Sequence, residues 1–319
     1  TQVIDGVLEV RPIDELFQAG ISNELFPLLL FIGIGAMIDF SPLLSNPKML
    51  FFGAAAQFGI FFTFSMAALL GFELKDAASI GIIGAADGPT SIYVANFLQS
   101  NYFGAIIVAA YSYMALVPIV QPPAIRLVVP KKERLIRMRT KDNSISRTTK
   151  IIFPIVITII AGLFAPKSVA LVGFLMFGNL IRECGVLNSL SQSAQKELAN
   201  LITLFLGLTV STKMHYEGFL NPQTLLIMGL GLFAFVFDTI GGALFARVLN
   251  LFLKNKINPM IGAAGISAFP MSARVIHKMG QAEDHQNHLL MHAVGANVAG
   301  QIASVIAGGM ILNFVTKIL

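Results

Sequence analysis

The sequence predicts an all-α polytopic membrane protein with two inverted-topology repeats, whose two broken or re-entrant segments meet near the bilayer midplane. Three observations predict it. Charge-poor apolar runs recur along most of the chain, two of them are interrupted by glycine and proline, and a set of short matches returns in the same order in the second half. The 319 residues are 55% hydrophobic and only 12% charged, with a mean hydropathy of +0.75. A soluble domain carries about 25% charged residues. Runs of about 20 apolar residues cross a bilayer core. The lone Cys184 excludes a disulfide framework and a cysteine metal cluster.

In chain order, residues 1–20 read as a surface or amphipathic lead-in, with Asp5, Glu9, Arg11, Asp14 and Glu15. Residues 21–125 form a first membrane repeat, 126–150 a basic cytoplasmic loop, and 151–319 a connecting span followed by the second repeat. Spans are expected at Leu25–Ile38, Met49–Gly71, Tyr102–Val120, Ile151–Phe164, Val169–Ile181, Leu198–Val210, Thr224–Leu253 and His288–Val315. Two further apolar segments are broken: Ala77–Leu98 by GAADGPTS, and Pro259–Val275 by IGAAGISAFPMSARV. The repeat is carried by FIGIGAMID at Phe31 against FLGLTVSTK at Phe205, by Asn46-Pro47 against Asn221-Pro222, and by IGAAD at Ile83 against IGAAG at Ile261. The offsets are 174, 175 and 178 residues, nearly in register, as an internal duplication requires.

The net charge of +5 is concentrated in the basic loop and marks topology, not a nucleic-acid partner. With that loop inside and both broken segments dipping in without crossing, Lys48, Arg182, Lys196, Arg247, Lys254 and Lys256 fall inside. Arg11, Lys75, Lys167, Lys213 and Lys317 fall outside, which satisfies the positive-inside bias. An odd number of crossings then separates the two repeat starts, so the halves have opposite orientation. The broken segments enter from opposite faces, as in inverted-repeat transporters.

Chemistry is expected at the breaks. Gly84, Gly88 and Pro89 interrupt the first helix around Asp87. Unpaired backbone is tolerated at membrane depth only where protein or a wet cavity satisfies it, and an intramembrane carboxylate costs about 2.5–3.5 kcal/mol on insertion scales. A carboxylate beside freed carbonyls and hydroxyls offers hard oxygen ligands for an alkali cation; the alternative for Asp87 is a helix cap. In the second break, Asn258-Pro259 opens the segment and Gly262 and Gly265 loosen it. Asn258 and Ser267 offer oxygens. Arg274 is suited to holding a carboxylate, or it snorkels to the interface. Asn297 lies among small residues, where it either packs by a hydrogen bond or faces the cavity. Tyr113, in YSYMAL, either anchors an interface or relays a proton. Asp39 reads as a helix-end cap, and Asp238 is deeper, with no identified partner. His285, His288 and His292 share a helix face at a polar boundary and read as an interface rather than a metal site. No hydrolytic triad, P-loop or dinucleotide fingerprint is found.

GAADGPTSIY, NPMIGAAGISAFPMSARV and LLMHAVGANVAGQIASV together resemble the β subunit of the sodium-pumping, biotin-dependent decarboxylases acting on oxaloacetate, methylmalonyl-CoA or glutaconyl-CoA. The similarity runs from about Phe31 to Gly309. It implies a multi-pass protein of the bacterial inner membrane that decarboxylates carboxybiotin, consumes a proton and exports sodium, the only metal expected. It also implies partners: a biotin carrier subunit, a carboxyltransferase α subunit, a small membrane anchor subunit and further copies of the chain. By matching motif positions, Asp87, Tyr113 and Arg274 are implied as catalytic, and Asp87, Asn258, Ser267 and Asn297 as sodium-binding. Gly84, Gly88, Gly262 and Gly265 are the structural glycines of the breaks. The GANVAGQ and HQNHLL wording leans toward acyl-CoA members over the oxaloacetate one. The competing function is a sodium-coupled secondary transporter of a small organic anion.

Overall fold

The computed structural model describes residues 2–4, 7–9, 12–138, 145–211 and 221–318. Apart from one antiparallel hairpin, β1 (Gln2–Ile4) with β2 (Val7–Glu9), these residues build helices and their connections. The lead-in continues as a short helix, Pro12–Phe17, and a π-helical turn, Gln18–Ser22, bent by 63° from α1 (Leu25–Met37). Arg11, Lys213 and residues 139–144 of the basic loop lie outside the described residues.

The chain continues with α2 (Leu50–Ala55), α3 (Phe58–Leu69), α4 (Leu74–Gly81), α5 (Gly88–Phe97) and α6 (Phe103–Val128). Two connecting helices follow, α7 (Arg147–Phe164) and α8 (Val169–Glu183). The remainder is α9 (Ala199–Ser211), α10 (Pro222–Phe252), α11 (Met260–Ala263), α12 (Met271–Glu283) and α13 (Leu290–Ile318). Among the described residues, five helical stretches are long and apolar enough to cross a membrane: Pro47–Leu69, Phe103–Val128, Arg147–Phe164, Pro222–Phe252 and Leu290–Ile318. The bent pair ending in α1 makes a sixth. By contrast, α8 and α9, both expected as spans, are not among these stretches; α9 continues without a break from the polar turns Asn188–Ser193 and Ala194–Leu198, the second of which carries Lys196 and Glu197.

Exposed Phe51, Phe61, Leu69, Ile159, Leu163, Phe164, Phe233, Leu251 and Phe252 present the apolar surface that a lipid environment solvates. The polar interior lies elsewhere. Residues 76–96 and 258–268, which contain both breaks, are continuously buried. Their open backbone is therefore enclosed by protein, the condition under which such backbone survives at membrane depth.

Each broken segment doubles back. Asp76, at the start of the first, accepts hydrogen bonds from Ser100 Oγ (2.7 Å), the Asn101 amide (2.9 Å) and Asn101 Nδ2 (3.0 Å), just beyond its end. In the second, Asn258 at the start and Asn287 past the end both donate to the Arg134 carbonyl, at 2.8 and 3.0 Å. The span expected to be continuous over Met49–Gly71 is also interrupted, at Ala56-Gln57 between α2 and α3. There the Gln57 side chain donates to the Gly53 carbonyl at 3.0 Å while the Gln57 amide turns to Ala54. The side chain has taken the acceptor that its own backbone N–H would use in a continuous helix.

Long helices hold the breaks in place. α10 packs against α3, α6, α11 and the 3₁₀ turn Ile82–Ala85 of the first break, while α13 packs against α2, α5 and α12. The α10–α11 crossing is close enough that a Cβ on either Gly242 or Gly262 would run into the other's carbonyl. No larger residue fits there without moving a helix.

Candidate functional site between the two breaks

The first break is a sequence of local decisions. α4 tightens into the 3₁₀ turn, and Ala86 takes a left-handed conformation at φ 51°. Asp87 is extended and serves as N-cap of α5, with Pro89 in the first turn, where its missing N–H costs nothing. The cap is real: the Thr90 amide donates to Asp87 Oδ1 at 3.4 Å. The helix-cap reading thus holds for Oδ1, while Oδ2 is left to other partners.

Asp87 is buried, at 4% exposure. Its Oδ2 accepts from Thr90 Oγ1 at 2.7 Å, Gln301 Nε2 at 2.9 Å, and Ser267 Oγ and Ser304 Oγ at 3.1 Å each. The two serine hydroxyls are 2.8 Å apart, and Ser91 Oγ donates to the Asp87 carbonyl at 2.9 Å. The breaks touch directly as well, because the Ser267 amide donates to the Ala85 carbonyl at 3.2 Å. Two helices reach in from behind the second break. Asn297 Nδ2 holds the Ile266 carbonyl at 2.7 Å, and Gln57 Nε2 reaches the Gly265 carbonyl at 3.4 Å. The Asn297 Oδ1 and Gln57 Oε1 oxygens are buried without a partner among the described residues.

Of the expected residues, Asp87 and Ser267 are in contact and Asn297 stands one carbonyl away. The four break glycines all sit at close approaches. Gly88 lies under the Tyr111 ring, Gly84 against Ala234 and Asp238, Gly262 against Gly242, and Gly265 against the Phe52 carbonyl. The other three residues are not brought to Asp87. Tyr113 donates its phenol to the Met228 carbonyl, fastening α6 to α10. Arg274, in the first turn of α12, is exposed and forms no ion pair among the described residues. Asn258 is fully buried at the mouth of the second segment, where Nδ2 donates to the carbonyls of Arg134 (2.8 Å) and Ile136 (2.9 Å).

The basic loop is therefore a docked strap where it is described. Arg134 pairs with Glu283 at 2.9 Å, Arg137 with Asp284 at 2.5 Å, and Glu133 with Arg247 at 2.8 Å. Arg137 holds the Asp284 carboxyl below the ordinary carboxylate range by its hydrogen bond.

The sequence reading passed over Thr90, Gln301, Ser304 and Tyr111. Asn297, Gln301 and Ser304 are spaced four and three apart, a single helix face, so the signal was available in GANVAGQIAS. Tyr111 shares the YSY motif with Tyr113, but only its ring lies against the Asp87 turn, with its buried hydroxyl lacking a partner among the described residues.

This donor set is all oxygen and amide. No group of three or more histidine, cysteine or acidic residues that could hold a metal ion is found among the described residues. Four donors crowd one carboxylate oxygen, which has about two lone pairs to offer, so the hydroxyl oxygens keep capacity to turn toward a small hard cation.

Comparison with known proteins places the chain in a family. The family model for the Na+-transporting oxaloacetate decarboxylase beta subunit matches residues 1–315. Oxaloacetate decarboxylase beta chain 2 of Salmonella typhi is 50% identical over 305 residues, covering 94% of this chain and 70% of that protein. The methylmalonyl-CoA decarboxylase subunit beta of Propionigenium modestum is 52% identical over 299 residues, 93% of this chain and 75% of that protein. Its counterpart from Veillonella parvula is 50% identical over 302 residues, covering 95% and 81%. With a family model matched over nearly its whole length and relatives at half identity, the chain belongs to the Na+-transporting oxaloacetate decarboxylase beta subunit family.

Proposed function

We propose that this chain is the membrane subunit of a biotin-dependent decarboxylase complex, decarboxylating carboxybiotin with uptake of a proton and coupling that step to sodium export. The observation that carries the reading is the Asp87 cluster: a buried carboxylate fed by both broken segments and by α13. Sodium is the cargo. It binds to Asp87, to Thr90, Ser267 and Ser304 after their hydroxyls turn, and to the free Asn297 carbonyl oxygen. Rotating a hydroxyl exchanges a donor for an acceptor without moving backbone. Asn258 contributes from a distance, by fixing the mouth of the second segment under the strap.

Biotin arrives on a carrier subunit, from the face where the strap lies, and supplies the carboxyl group that is released as carbon dioxide. Exposed Arg274 provides the fixed cation that receives that carboxylate. Tyr113 and the neighbouring Tyr111 are the phenols through which proton handling at this site runs. A carboxyltransferase subunit and a small membrane anchor subunit complete the complex, and the chain assembles with further copies of itself in the bacterial inner membrane. Moving one sodium against about 100 mV costs about 2.3 kcal/mol, a demand one decarboxylation is suited to meet.

The repeats are read as inverted. Gln121, on the helix after the first break, donates to the second break at the Ala263 carbonyl (2.8 Å) and Ser272 Oγ (2.7 Å). Gln301, on the helix after the second break, donates to the first at Asp87. This exchange of partners is what two related halves crossing at the midplane produce.

Relatives acting on oxaloacetate and on methylmalonyl-CoA match about equally, so the acyl-CoA preference rests on the GANVAGQ and HQNHLL wording alone. Reconstitution with a carboxyltransferase of each type decides it, activity with the oxaloacetate type only being the adverse result. For the pump itself, Asp87→Asn in the purified complex abolishes sodium-dependent decarboxylation of free carboxybiotin. Full sodium-coupled turnover in that variant would falsify the assignment.

A further inference from the structure

A second carboxylate lies in the core, outside the Asp87 cluster. Asp238, on α10, is fully buried. Its Oδ1 accepts the Gly59 amide at the start of α3, while the Ile60 amide turns to the Gln57 carbonyl. The other oxygen, Oδ2, has no partner among the described residues. It faces the first break, since a Cβ built on Gly84 would stand 2.9 Å from it.

The surroundings supply no compensating charge. Among the elements packed on α10, α2, α3 and α11 contain no titratable residue. α4 carries Lys75 and Asp76 at its outer end, where Asp76 is engaged by Ser100 and Asn101 and Lys75 pairs with Glu73. α6 brings Tyr111 beside Gly88, Tyr113 bonded to Met228, and Arg126 in its last turn. No ion pair involves Asp238 among the described residues. Capping α3 uses one oxygen, a task that a neutral asparagine performs as well. An ionised carboxylate with one bare oxygen in this setting is costly.

We propose that Asp238 is a proton-binding site, whose Oδ2 carries a proton while the Gly84 turn is packed against it and releases that proton when the turn moves away. The O–H bond breaks with its electron pair left on Oδ2, and the proton passes to water admitted by the displacement. Gly84 lies in the 3₁₀ turn that leads through Ala86 to the Asp87 cap, so whatever moves Asp87 on sodium binding also moves the wall of the Asp238 site. The coupling rests on the reading of Asp87 as the sodium ligand; the proton itself does not.

The test is infrared difference spectroscopy on the whole reconstituted complex in lipid vesicles, across a pH step and on adding sodium, in water and deuterium oxide. In Asp87→Asn, a deuterium-sensitive C=O stretch of a protonated carboxyl remains, and it disappears in Asp87→Asn combined with Asp238→Asn. If that double variant fails to assemble, Asp238→Glu in the Asp87→Asn background shifts the band and assigns it equally well. Absence of the band in Asp87→Asn, or a band indifferent to both changes at position 238, overturns the proposal. In an otherwise unaltered chain, Asp238→Asn reduces the pH dependence of the sodium concentration for half-maximal decarboxylation at least threefold; an unchanged dependence leaves Asp238 a helix cap and overturns it too. Failure of the sodium reading shows separately, as sodium-dependent turnover persisting in Asp87→Asn whatever the infrared band does.

Discussion

Asp87 Oδ2 accepts from Thr90, Ser267, Gln301 and Ser304, and the four donors do not contribute alike to the pump. Ser304 touches both Asp87 and Ser267, so on the proposed sodium site Ser304→Ala removes one ligand and loosens a second. One lost buried polar contact is worth about 1–3 kcal/mol, and 1.4 kcal/mol is tenfold in affinity. The sodium concentration for half-maximal decarboxylation should rise about tenfold in Ser304→Ala with little change at saturating sodium; an unchanged requirement removes Ser304 from the site. At this scale the sequence was legible where a residue stood inside a visible helix break. Asp87 and Ser267 qualify, flanked by glycine and proline. Gln301 and Ser304 lie in an unbroken apolar helix, where glutamine and serine also read as packing residues. Only the depth of the opposing break shows which face they present.

Elements were legible in proportion to how local their causes are. Both broken segments follow from their own glycines and prolines, and both appear where expected. The Ala56-Gln57 interruption does not, since glutamine is a good helix former. What interrupts this helix is tertiary: Gln57 reaches the Gly265 carbonyl and Asp238 receives the Gly59 amide at the start of α3. The strap was equally hidden, because a run of lysine and arginine reads as a solvated loop until its partners Glu283, Asp284 and Arg247 fall beneath it. Asn258 bonds two strap carbonyls, and its removal takes the side-chain donor from the Ile136 carbonyl and leaves the Arg134 carbonyl with Asn287 alone. Asn258→Ala should therefore speed amide hydrogen exchange in residues 130–138 at least tenfold, about 1.4 kcal/mol of local stability. Sodium should still protect the Asp87 turn in that variant. Loss of sodium protection without faster exchange in the strap would place Asn258 at the ion instead.

At the scale of the whole molecule, the pump requires that the two breaks open to opposite sides, and charge placement supplies the test. Near the strap, Arg247 and Glu133 pair, and Arg147, Lys150 and Arg182 gather around the Cys184 carbonyl, Glu183 and the Met37 carbonyl. At the end of the first broken segment, Lys167 stands 5.0 Å over the Phe97 ring, and Lys75 pairs with Glu73 at its start. Each broken segment thus begins and ends beside its own set of charges, and on the proposed topology the richer set belongs to the cytoplasmic side by the positive-inside bias. In a Cys184→Ser background, a cysteine at position 167 should react with a membrane-impermeant maleimide from outside intact cells. A cysteine at position 256 should react only in inverted vesicles. Labelling of both from one side would put both mouths on one face. Sodium released at the Asp87 cluster would then return to the compartment it came from, and no decarboxylation energy could be stored as a gradient.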